Sequence, residues 1–111
     1  MILSKQLLSE VLGIEVSEID IKENLVYYFV DNEHLDDEWE SINIYELAHK
    51  KCKEWALARH IRLWSIIDDN NSAICRIHSR EKEEFYADSE PEAIFKACQW
   101  IYDKELLNDK K

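Results

Sequence analysis

Few side chains in this 111-residue sequence are of a type and spacing that could do chemistry. His49 and Cys52 stand three apart, where two ligands on a helix point the same way, and Cys75, Cys98 and His78 could be imagined as completing a metal set. No CxxC or second close pair accompanies them, and each cysteine sits among apolar residues, so the expectation is three reduced core thiols and no metal. Asp36, Asp37 and Glu38 could hold a hard cation, but a calcium loop needs alternating oxygen ligands and a turn glycine, and neither is present. His49, Cys52 and Cys98 could be combined as base and nucleophile, yet nothing near Cys98 in sequence would lower a thiol pKa. His78, between Ile77 and Ser79 in an alternating run, reads as an exposed or hydrogen-bonded histidine rather than a base. There is no GxSxG, HExxH or Walker motif, and a single glycine, Gly13, leaves no Gly-rich phosphate loop. The reading is a non-catalytic protein without cofactor.

Charge is more informative. The formal net charge is −10, and residues 10–40 alone carry it: Glu10, Glu15, Glu18, Asp20, Glu23, Asp31, Glu33, Asp36, Asp37, Glu38 and Glu40 stand against Lys22 only. Such a field disfavours direct nucleic-acid binding, which needs clustered Lys and Arg, and suits a basic protein surface. Lys50, Lys51, Lys53, Arg59 and Arg62 form a basic run, read as a solvated helix face pairing with the acidic segment rather than a phosphate-binding stripe. Trp39, Trp64, Trp100, Tyr27, Tyr28 and Tyr102 are mostly core by type, but alternation sends some outward, where aromatics anchor partners.

The elements that position these groups follow from periodicity. Residues 43–62 carry the clearest helix: Asn43 and Glu46 suit a capping box, and Ile44, Ala48, Cys52, Trp55, Ala56 and Arg59 recur at three and four. Ser4 can cap a short first helix that Gly13 closes, with Leu3, Leu7, Leu8, Val11 and Leu12 on its apolar face. Residues 19–22 and 25–30 form a hairpin in which Asn24 can go left-handed, residues 31–38 are a polar loop, and residues 39–43 are a third strand. Residues 61–67, 73–79 and 84–88 alternate as an antiparallel meander. Ser89, Pro91 and Glu92 open a last helix, whose core face is Ala93, Ile94, Ala97, Cys98, Ile101 and Tyr102. The order is α-β-β-β-α-β-β-β-α. At 46% hydrophobic residues with no span-length apolar run, the chain predicts one α+β domain over 1–111. It would have one mostly antiparallel sheet of five to six strands, covered by two longer helices and a short N-terminal one. The N-terminus lacks a signal-peptide pattern, so the expected compartment is the cytoplasm, with no membrane contact.

Residues 44–56 and 85–101, the latter with its Ser89-Glu90-Pro91-Glu92-Ala93-Ile94 helix start, resemble small phage and prophage proteins of the phage ABA sandwich domain type. The resemblance covers the last two thirds of the chain and implies a phage or mobile-element origin and a cytoplasmic (host cell) setting, without implying an activity. Together these readings predict an acidic interaction protein. Its partner-binding residues would be Asp31, Glu33, Asp36, Asp37, Glu38 and Glu40, facing a basic surface such as that of a host nucleic-acid-binding or defence protein, with carboxylates imitating DNA phosphates. The alternative expectation is a homo-oligomeric structural or assembly protein paired through edge-strand Tyr and Trp.

Overall fold

A computed structural model describes residues 3–30, 39–68, 72–79 and 82–109. Helix α1 (Lys5–Leu12) starts at Ser4, whose Oγ accepts the Leu7 N–H at 3.1 Å and itself donates to Gln99 at 2.7 Å. It stops at Gly13, φ 71°, where no Cβ opposes the left-handed turn. Leu7 and Leu8, both fully buried, supply the burial that so short a helix needs to persist.

Strands β1 (Glu18–Lys22) and β2 (Leu25–Phe29) form a hairpin, and β3 (Trp39–Asn43) pairs antiparallel with β2. The left-handed residue of the two-residue turn is Glu23, φ 54°, and not Asn24. Asn24 is used otherwise: its carbonyl accepts the Ile44 N–H at 2.7 Å and ties the turn to the start of the central helix.

The central helix runs in three consecutive segments, α2 (Ile44–Glu46), a π-helical stretch (Leu47–Cys52) and α3 (Lys53–Leu57). Asn43 Oδ1 accepts the N–H groups of Tyr45 and Glu46 at 2.8 and 3.3 Å. Regular α-helix was expected throughout. The π-helical stretch instead buries Leu47, Ala48 and Cys52, next to buried Ile44 of α2. The helix ends in a Schellman motif, with Ile61 N–H on the Ala56 carbonyl at 3.1 Å and His60 N–H on Leu57 at 2.9 Å. The left-handed position, φ 62°, falls on exposed His60. Glycine there removes the Cβ penalty, so His60→Gly is expected to raise stability by about 1 kcal/mol in urea titration.

Strands β4 (Arg62–Ile67), β5 (Ala73–His78) and β6 (Lys82–Ala87) form an antiparallel meander, and α4 (Glu90–Asp109) follows. The single sheet of five to six strands is therefore corrected to two sheets of three, ordered β1-β2-β3 and β4-β5-β6. Alternation reports which residues extend, not which strands share a sheet, and the intervening helix permits either arrangement. Strand β6 also begins earlier than expected, with Lys82 and Glu83 inside the ladder.

Helix α4 lies on β4–β6 and against the π-helical stretch and α1. Phe95, Ile94, Cys98, Leu47, Cys75 and Ile77 close the core there, and Val16 and Val26 extend it to the first sheet. The molecule is a slab of 45 × 39 × 18 Å with a radius of gyration of 14.5 Å, against about 13 Å for a compact chain of this length. Its 18 Å thickness accommodates one layer of sheet and one of helix. Each sheet consequently keeps one face toward solvent.

Candidate interaction surface

Of the expected partner-binding residues, Asp31, Glu33, Asp36, Asp37 and Glu38 lie outside the described residues. Glu40 is described: it is exposed on β3, opposite Tyr28 on β2. That pair belongs to the face bearing Val26, Ile19, Ile21 and Ile42, which turns toward the core. Burial, and then the Glu40 charge, push the Tyr28 hydroxyl above its ordinary pKa.

On the opposite face, among the described residues, Glu18, Asp20 and Trp39 are exposed while Tyr27 and Phe29 are half-buried. The rows of that face across the strands are Glu18–Phe29–Trp39, Asp20–Tyr27–Ser41 and Lys22–Leu25–Asn43. Trp39 leans on Phe29, ring centroids 5.6 Å apart and tilted by 52°, yet stays 48% exposed. Asp20 reaches Lys22 at 3.5 Å, an exposed pair that leaves the Glu18 end of the face negative. The acids of residues 10–40 thus divide: Glu18 and Asp20 share this face with three aromatics, Glu40 is on the reverse, and Glu10 turns away toward Arg59. A hollow of about 570 Å³ runs along β1, lined by Leu3, Lys5, Glu18, Asp20 and Trp39 among others.

The basic run does not form one stripe either. The Arg59 guanidinium stacks over Trp55 at 4.0 Å and donates to Glu105 at 2.6 Å, to the Trp55 carbonyl at 3.1 Å and to Glu10 at 3.4 Å. It joins α1, α3 and α4, a role that the spacing did not announce, and its acidic partner from residues 10–40 is Glu10 on α1 rather than the hairpin. Arg62 stands apart on β4.

Cys52, Cys75 and Cys98 are all buried, and the Cys98 thiol points at the Cys52 carbonyl at 3.9 Å. Burial, reinforced by Cys98, pushes the Cys75 thiol up to about 12. Its contact with Cys52, and then burial, raise Cys98 as well. His49 stacks on Tyr45 and lies 3.6 Å from the Glu90 carboxylate, which also accepts from Ser65 at 3.0 Å, so Glu90 links the central helix, β4 and α4. Among the described residues no group of three His, Cys, Asp or Glu side chains is arranged to hold a metal ion. His78 is exposed on the outer face of β5.

The raised thiols have a consequence for stability. Unfolded Cys75 ionises near 9, while the folded thiol keeps its proton to about 12. Between those values the unfolded state binds fewer protons, so stability falls as pH rises, by about 1.4 kcal/mol per unit per thiol. Urea midpoints should be flat from pH 7 to 8.5 and decline above 9, and Cys75→Ala should lessen that decline.

No family model, curated protein or solved structure matches this chain. Among the described residues no helix is long and apolar enough to cross a membrane.

Proposed function

We propose that this protein is a non-catalytic interaction protein of phage or prophage type, acting in the cytoplasm of a host cell, whose acidic first sheet meets a basic protein surface. The observation that carries the reading is the face of β1–β3 where Glu18 and Asp20 flank Tyr27, Phe29 and Trp39. Carboxylates beside exposed Trp39 and half-buried Tyr27 and Phe29 can satisfy the Lys and Arg groups of a nucleic-acid-binding site and bury apolar area within it. A nuclease or other DNA-binding defence protein, for which the carboxylates imitate phosphates, is the partner this chemistry fits best. Residues 31–38 add five more acids to the connection between β2 and β3. Reversing Asp31, Glu33, Asp36, Asp37 and Glu38 to lysine should abolish binding while circular dichroism and thermal unfolding stay unchanged, and retained binding would remove the idea.

A second reading, a homo-oligomeric assembly protein of a phage or mobile element, draws on a separate feature. Trp39, Trp64 and Tyr86 are exposed, and each lies on the edge strand of a three-stranded sheet.

A further inference from the structure

Strand β1 lies at the edge of its sheet, paired with β2 on one side only. The bonds around the hairpin decide which of its backbone groups face the other side. The Asn24 carbonyl bonds to Ile44, beyond β3, and the Phe29 carbonyl takes the Ser17 N–H at 2.9 Å, before β1. Backbone groups alternate in direction along a strand, so Leu25, Tyr27 and Phe29 turn theirs toward β1. Their partners in register are Lys22, Asp20 and Glu18. The N–H and C=O groups of Ile19 and Ile21 therefore point away from β2, and among the described residues no backbone group bonds to them. The Ile19 and Ile21 side chains pack toward the core, while Glu18 and Asp20 stand exposed on the other face. The hollow of about 570 Å³ follows this edge, since every residue from Ser17 to Ile21 lines it, with Leu3 and Lys5 from the start of α1. Its charged lining, Glu18 and Asp20 against Lys5, is net negative.

We infer that the edge of β1 takes up an extended segment of the basic partner as a fourth strand, with Lys or Arg at alternate positions and apolar residues between them. Side chains of an added strand alternate in step with those of β1. One set meets Glu18 and Asp20, whose described cation is Lys22, 3.5 Å from Asp20 and solvent-screened. The other set meets Ile19 and Ile21, with Leu3 in the same hollow. A second copy fits this edge poorly. Antiparallel self-pairing about Ile19 sets Asp20 against the second copy's Glu18, and pairing about Asp20 sets that residue against itself. Pairing about Ile21 matches Asp20 with Lys22, but it places Ile19 beside Glu23, whose left-handed φ of 54° ends the ladder. The inference deepens the proposed function and rests on its basic partner.

The probe is a synthetic peptide of about eight residues, alternating lysine and valine and capped at both ends, titrated into the full chain under NMR detection. In the inferred register its valines exchange N–H···O bonds with Ile19 and Ile21, and its lysine N–H groups point outward. Saturation should slow hydrogen exchange of the Ile19 and Ile21 amides at least about tenfold. Methylating the valine nitrogens should weaken binding at least about tenfold, whereas methylating the lysine backbone nitrogens should leave it unchanged. Binding that ignores valine methylation, with exchange at Ile19 and Ile21 unaltered, overturns strand addition and leaves the basic contact of the proposed function standing. No binding of the alternating peptide at about 1 mM overturns the edge as a site, and capture of the partner then decides the proposed function independently. Exchange at Ile19 and Ile21 that slows with protein concentration alone gives the edge to a second copy and overturns the inference as well.

Discussion

Glu18→Lys with Asp20→Lys is expected to weaken binding of the basic partner on the order of 100-fold, or about 2.7 kcal/mol, while leaving the fold intact. Both side chains are exposed on β1, and the one ion pair lost, Asp20 with Lys22, is solvent-screened, so stability should stay within about 0.5 kcal/mol of wild type. Each reversal removes an attraction and adds a repulsion at the same point, which is why two sites suffice. The loss should appear mainly at low salt, because exposed charges are screened within about 8 Å at physiological ionic strength. Trp39→Ala provides the apolar counterpart: it should weaken binding at high salt as well, where the charge contribution has already gone. Titration calorimetry against the captured partner reads both. Equal affinities for wild type and the lysine variant would move the contact off this face.

Phe95→Ala carries the largest expected effect on folding. Phe95 is fully buried in α4 at the centre of the core. Truncation leaves a cavity that the surrounding backbone cannot close, at a cost of about 3–5 kcal/mol. Against a typical total of about 5–15 kcal/mol the variant is marginal or unfolded at 37 °C, and its thermal midpoint should fall by more than about 12 °C. Leu107→Ala, on the same helix but 65% exposed, should change it by less than about 2 °C. A loss below about 1 kcal/mol at Phe95 would mean that α4 does not pack between sheet and central helix as described.

Phe95 also shows where periodicity stops informing. The sequence marks Ala93, Ile94, Ala97, Cys98, Ile101 and Tyr102 as one apolar stripe, and most of that stripe is buried. Phe95 lies off it, yet is buried as completely, because α4 is covered on two sides, by β4–β6 and by the π-helical stretch. A one-sided amphipathic pattern cannot announce a second neighbour. Leu47 is hidden for the same reason. Caps were legible because they are local: Ser4, Gly13, Asn43 and Ser89 all sit at the helix ends that their types predict. The Glu23 turn was not, since the carbonyl of Asn24 is committed to Ile44, a contact made twenty residues away. Among the site residues, alternation said that some aromatics must face out, and only the register between strands said that Trp39 and Phe29 share a face with Glu18.

The central claim, that an acidic sheet meets a basic protein surface, is tested most directly by capture from host lysate on the tagged chain, washed at low and at high salt. The account predicts a nucleic-acid-binding protein that is held at low salt, is released at high salt, and is missing from a parallel capture on the Glu18→Lys, Asp20→Lys variant. Recovery of the chain alone, resistant to salt and unchanged by those substitutions, would contradict it and leave the charge of residues 10–40 as a solubility feature.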